Sequence, residues 1–229
     1  MTEGKIISLA MRAANTALPV AATDVRAFAG AGLAGDRHAD PHSPRQVLLA
    51  SAAAYAELSL PAHALRENLL VDVDTGQLRS GTVLQLGDEV RLRLMFQCEA
   101  CGYLDAAQPG LSARIGLRRG MLARVLSGGV LRAGDVIREV GVLPAWPEDW
   151  RERVAQVLRA VPEGRVVSYA QLARLAGVQP VYCRAFPRLI RSLGPGHAGK
   201  AMPARLSPGM RCWDGAGLFE DDAYMACSS

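Results

Sequence analysis

What the chain lacks narrows its possibilities first. Half of its 229 residues are hydrophobic, yet no apolar run approaches the roughly 20 residues that span a bilayer. The N-terminus has no basic stretch followed by an apolar one, so a secretory leader is not expected and a cytoplasmic setting is. The five cysteines are an odd number in such a chain, which argues for reduced thiols rather than a disulfide framework. Stability must therefore come from packing. Lysine is nearly missing, with Lys5 and Lys200 alone among 26 basic residues.

The net charge of +4 hides an asymmetry. Residues 1–149 carry 15 basic against 16 acidic side chains, whereas residues 150–215 carry 11 against 3. The basic character belongs to the C-terminal third, and it suits either a polyanionic partner or a solvated basic face. Two prolines within Val142-Leu-Pro-Ala-Trp-Pro-Glu-Asp149 place a linker at 142–149, because neither strand nor helix crosses such a stretch comfortably. Two domains are expected, 1–141 and 150–215, with an acidic tail at 216–229.

The first domain reads as β. Arg91 to Gln97 alternates Leu92, Leu94 and Phe96 with Arg91, Arg93 and Met95, the period of a half-buried strand, and it runs into Cys98-Glu-Ala-Cys101. One such pair is half a tetrahedral zinc site, and no second pair at metal spacing exists. A redox pair, two buried hydrophobes and a single reactive or ligating thiolate all stay open. Upstream, Gly30-Ala-Gly-Leu-Ala-Gly-Asp-Arg-His38 is a loop whose backbone is open to approach and whose Asp36, Arg37 and His38 suit an anion or polar ligand. It lacks the Gly-Lys-Ser/Thr ending of a P-loop. Arg66, Glu67 and Asn68 gather ahead of an apolar run, while Arg118 and Arg119 lie between glycines as an outward anion clamp. Ser127 to Ile137 is expected to form a hairpin and a closing strand.

In the second domain Val154, Val157, Leu158 and Val161 mark one buried helical face. Ser168 is placed to cap a second helix from Tyr169, and a third is expected from Tyr182 to Leu193. Arg184, Arg188 and Arg191, spaced by four and three residues, would then share one face.

The order Gly-Leu-Ala-Gly-Asp-Arg-His (32–38), Arg45-Gln-Val, Arg66-Glu-Asn, Cys98-Glu-Ala-Cys101, Arg119-Gly and Gly134-Asp resembles the MOSC family, the C-terminal module of molybdenum cofactor sulfurases and its stand-alone bacterial relatives. The resemblance implies a closed β-barrel with short helices. It implies a cleft for molybdenum cofactor or a similar phosphorylated ligand, of which pyridoxal phosphate is one, with Asp36, Arg37, His38, Arg66, Asn68, Cys98 and Arg119 around it. Cys101 would be the catalytic thiol that carries sulfur or ligates the metal. Separately, Pro162-Glu-Gly-Arg-Val-Val-Ser-Tyr-Ala-Gln-Leu-Ala173 and Tyr182-Cys-Arg-Ala-Phe-Pro187 resemble the winged-helix domain of alkylguanine-DNA alkyltransferases. That likeness implies a small, mainly α winged-helix domain that binds DNA through Tyr169, Arg184, Arg188 and Arg191. Where those enzymes carry Pro-Cys-His-Arg, this sequence has Pro203-Ala-Arg-Leu206, and Ala204 is unable to accept an alkyl group. An alternative is a non-catalytic protein that recognises modified bases in DNA.

Overall fold

The computed structural model describes residues 2–14, 16, 18–203 and 210–222. Contacts divide the chain into two units, one of residues 1–41, 45–146 and 221–229 and the other of 42–44 and 147–220. Asp221 and Asp222, expected as part of an acidic tail at 216–229, thus cluster with the β unit.

In the first unit the chain forms β1 (Glu3–Met11), β2 (Val20–Ala22), β3 (Asp24–Phe28), β4 (Gly32–Leu33), β5 (Val47–Ser51), α1 (Ala52–Leu58), β6 (Leu69–Val71), β7 (Thr82–Leu86), β8 (Val90–Gln97), α2 (Tyr103–Ala107), α3 (Leu111–Arg114), β9 (Met121–Ser127), β10 (Gly129–Arg132) and β11 (Val136–Val142). Seven strands run in the order β11-β7-β8-β9-β5-β6-β1, and β11 pairs with β1 to close the ring. Closure leaves no long edge and encloses an aliphatic core. Leu49, Leu84, Leu92, Leu94, Val125 and Ile137 belong to it, one face of each alternating strand. Ser51 caps α1, its hydroxyl accepting from the Ala53 N–H at 3.2 Å.

The expected hairpin after Ser127 does not form. β10 instead pairs antiparallel with β3, and β4 extends that pair into a separate three-stranded sheet. The physical reason lies at Gly128 and Gly129. A Cβ on Gly128 would meet the Ala27 carbonyl oxygen at 2.8 Å and Gly129 takes φ +158°, so the chain passes tightly against β3 rather than folding back on β9. Sequence spacing carries no trace of that partner.

The second unit contains α4 (Trp150–Ala160), β12 (Val167–Ser168), α5 (Tyr169–Leu175), a 3-10 turn at Pro180–Ala185, α6 (Phe186–Ser192) and β13 (Ala201–Met202), which pairs parallel with β12. Val154, Val157, Leu158 and Val161 are buried as their period demands. Asp149 caps α4 and Ser168 caps α5 through side-chain oxygens. The third helix is shorter than its pattern. Pro187 has no N–H to donate to Cys183, and the Phe186 N–H bonds the Cys183 carbonyl instead, so 3-10 geometry holds up to Ala185 and α-helix begins only at Phe186. Arg184 therefore stands on a different kind of turn from Arg188 and Arg191. Residues 204–206, where the Ala204 departure falls, lie outside the described residues. No helix among the described residues is long and apolar enough to cross a membrane.

Candidate functional site

Local chemistry builds the site from β1 outward. Arg12 follows the last residue of β1 and is buried, and the loop carrying Asp36 to His38 folds over it. Asp36 is 4% exposed. Its carboxylate accepts from the Arg12 N–H at 3.0 Å, the His38 N–H at 2.8 Å and the Asn68 amide at 2.8 Å. Asn68 also accepts from the Leu48 N–H at 3.1 Å and donates to the Ala10 carbonyl at 3.3 Å. Asp36 and Asn68 are thus spent on holding the loop to β1 and β5, and the groups left for a ligand are the cations.

Those cations are dense. Burial pulls the Arg12 guanidinium down to about 10, helped by the positive charges of Arg66, Arg37 and Arg119, with Asp36 the only carboxylate opposing them. An arginine that loses part of its affinity for a proton reports a site short of negative charge. The Nε atoms of Arg12 and Arg119 are buried without a hydrogen-bond partner. Glu67 does not relieve the deficit. It accepts from the Tyr55 hydroxyl at 2.6 Å and faces His63 Nδ1 at 3.4 Å.

His38 meets the Arg12 guanidinium through Nε2. A guanidinium only donates, so Nε2 accepts and the ring is neutral. Burial first, and the Arg12 charge second, bring His38 down to about 4 from 6.5. The neutral ring is stabilising above pH 6.5, and that contribution is lost as the pH falls through 4, because the unfolded chain binds the proton more readily. We expect the loss to reach up to roughly 3 kcal/mol. Urea unfolding of His38→Asn should therefore be less pH-dependent than that of the wild type between these limits; equal slopes would refute the assignment.

Cys98 sits beside this cluster. β8 ends at Gln97, and the Cys98 N–H donates to the Gly120 carbonyl at 2.8 Å, next to Arg119. Gly120 is required there, since a Cβ would lie 2.3 Å from the Leu49 carbonyl oxygen at a φ of +109°. Cys98 is buried with the Arg45 guanidinium 3.9 Å from its sulfur, while Cys101 is half-buried. A helix, α2, starts two residues after Cys101. Its first residue Tyr103 is 70% exposed and takes the Arg66 guanidinium over its ring at 4.9 Å. Arg66 holds φ +56°, a strained value for a non-glycine residue, which the Tyr103 contact accompanies.

The structure therefore couples Arg12, Asp36, Arg37, His38, Arg66 and Arg119 in one electrostatic cluster. It separates Arg118, which is turned to Glu57 at 3.2 Å, so the expected outward pair splits into one buried and one surface residue. Arg12 escaped sequence reasoning as a site residue, and Arg45 entered only within a motif. The available signal was position, since Arg12 follows the apolar end Leu9-Ala10-Met11 of β1 and Arg45 stands two residues ahead of the largely apolar β5. Among the described residues no three His, Cys, Asp or Glu side chains gather to hold a metal ion.

In the second unit Arg184, Arg188 and Arg191 are exposed. Tyr169 is half-buried with its ring edge-on to Phe186 at 5.8 Å, and its carbonyl accepts from the Cys183 thiol at 3.5 Å. Burial pushes that thiol up.

Residues 35–138 match the family model of the MOSC domain. No curated protein matches the chain. Among solved structures, the YuaD protein of Bacillus subtilis is 17% identical with a TM-score of 0.53, covering 59% of this chain and 94% of its own. YiiM from Escherichia coli is 14% identical with a TM-score of 0.50 over 85% of this chain and 95% of its own. YiiM from Geobacillus stearothermophilus is 13% identical with a TM-score of 0.53 over 81% and 98%. At these identities the likeness is one of fold.

Proposed function

We propose that the β unit, whose residues 35–138 match the MOSC domain, binds a phosphorylated or otherwise anionic small molecule among Arg12, Arg37, Arg66 and Arg119, and presents Cys101 to it as the reacting thiol. The support is the charge deficit. Four guanidiniums face one carboxylate that is already fully bonded, and the buried Nε donors of Arg12 and Arg119 lack an acceptor. Molybdenum cofactor would fit this donor set, the arginines being the groups that would hold its phosphate and Cys101 the one that would ligate its metal, and it would supply redox and atom-transfer chemistry there. The chain's own part is to neutralise the anion, to keep His38 as a neutral acceptor, and to hold the Cys98 to Gly102 loop beside Arg119. Arg45 lies 3.9 Å from the Cys98 sulfur, which makes Cys98 the competing candidate for the reacting thiol. Thiol labelling across pH in Cys98→Ser and Cys101→Ser separates them. We expect fast labelling to vanish with Cys101→Ser, and its survival in that variant would overturn the assignment. Elemental analysis of the purified protein for molybdenum tests the cofactor itself.

A second reading, for residues 150–215, is DNA binding without alkyl transfer. It is favoured by the three exposed arginines that follow α5 within one helical segment. Phosphate contacts release counterions, so replacing Arg188 and Arg191 together by Ala should reduce the salt slope of DNA affinity by about 2. Arg184→Ala should cost more on a duplex carrying a modified base than on a plain one. Unchanged affinity in the double variant would remove this reading, as would an alkyl group recovered on any cysteine of this region.

A further inference from the structure

A single hydroxyl holds both chain neighbours of Arg66. Tyr55 donates through its hydroxyl to Glu67 Oε2 at 2.6 Å, and the same oxygen accepts from the Leu65 N–H at 3.1 Å. Leu65 is gripped from its other side as well, since its carbonyl accepts from Arg119 Nη1. Its side chain is buried with Ala54 and Leu104, and Tyr55 packs against that apolar cluster. Burial first, and the Glu67 charge second, push the Tyr55 hydroxyl up from its ordinary value, so it keeps its proton and stays a donor. Glu67 is 3% exposed, and its other oxygen faces His63 Nδ1 at 3.4 Å.

The backbone between these anchors is strained. Among the described residues the non-glycine positions with positive φ are Ser59, His63 and Arg66, at 51°, 59° and 56°, and all of them fall between α1 and β6. Such conformations persist only where the surrounding structure over-determines them. Arg66 is the residue that this segment delivers. Its guanidinium lies 4.9 Å over the Tyr103 ring, and it is the largest of the charges acting on Arg12.

Taking the cation cluster as the anion site proposed above, we infer that Tyr55 is a positioning residue of that site, its hydroxyl fixing Leu65 and Glu67 so that Arg66 between them is held left-handed with its guanidinium in the cluster. Tyr55 acts on the ligand only through Arg66. Preorganisation of this kind raises affinity, because the guanidinium does not have to be ordered when the anion arrives. A hydroxyl that merely satisfied the buried groups of Leu65 and Glu67 would change stability and leave affinity alone.

The test is titration calorimetry of the full chain with inorganic phosphate, at an ionic strength held constant with chloride, in Tyr55→Phe, Arg66→Gly and the two combined. Arg66→Gly accepts the left-handed backbone at no steric cost and removes the guanidinium, while the other arginines still bind phosphate weakly. Tyr55→Phe should weaken phosphate binding about fivefold on its own and less than about twofold on top of Arg66→Gly, the signature of two residues acting as one unit. Should Tyr55→Phe fail to fold, Tyr55→Phe/Glu67→Met takes its place in the same cycle, because it leaves no buried carboxylate without its donor. Wild-type affinity in Tyr55→Phe would overturn the inference, as would an equal loss in both backgrounds or failure of both Tyr55 variants to fold. Absence of phosphate binding in the wild type is a different outcome, which removes the anion site itself and the role of Tyr55 with it.

Discussion

Asp36→Ala is expected to destabilise the protein by about 3–5 kcal/mol, the cost of leaving buried cations without their carboxylate. Three donors converge on Asp36, two from the backbone of Arg12 and His38 and one from Asn68. The Arg12 and His38 N–H groups would lose their acceptor, the Asn68 amide would keep only the Ala10 carbonyl, and the Arg12 charge would lose its one opposing carboxylate. Asp36→Asn should cost less, because one oxygen still accepts, although its amide nitrogen then faces a donor. Adding sulfate should recover part of the loss in both variants if the cluster takes anions. Denaturant unfolding checks this, and an Asp36→Ala protein as stable as the wild type would mean that the loop is held by other contacts.

The second large effect is expected on binding. Arg12→Met removes a cation that burial and three neighbouring arginines already disfavour, so the unliganded protein should keep its stability or gain some. The same change should weaken sulfate or phosphate binding at least tenfold, since a hydrogen bond to a charged group contributes about 1.5–3 kcal/mol. His38 should also recover toward an ordinary imidazole value once the facing guanidinium is gone. Titration calorimetry and an NMR titration of the ring read these two consequences separately. A variant that loses stability and binding in equal measure would point to a structural role for Arg12 instead.

Much of the barrel was legible because strands write a period of two into the sequence. Leu92 and Leu94 alternate with Arg91 and Arg93 as β8 requires, although the strand is buried on both faces rather than half-buried, and Ser168 marked a helix start that the structure keeps. Partners were not legible. That β10 joins β3, and that Asp222 returns to β8 and β9, depends on residues about a hundred positions away, and no local spacing encodes such distances. The site was half visible for a related reason. Asp36, Arg37 and His38 stood in one conspicuous loop, whereas Arg12 became a site residue only when Asp36 folded onto its N–H. Arg118 and Arg119 looked alike as neighbours, and the turn through Gly116–Arg119 sent one to the surface and the other inward.

The ring closes through Glu3 and Arg138, which lie at opposite ends of the first unit's main segment. On a ribosome that adds about 5–20 residues per second, the Glu3–Lys5 stretch leaves the exit tunnel on the order of ten seconds before the strand that completes it. During that interval the nascent chain carries an open β edge, a template on which a neighbouring polypeptide could pair. Slower translation lengthens the exposure, so soluble yield in the cell should depend on elongation rate and on chaperones that shield strand edges, even though the finished barrel leaves that edge covered.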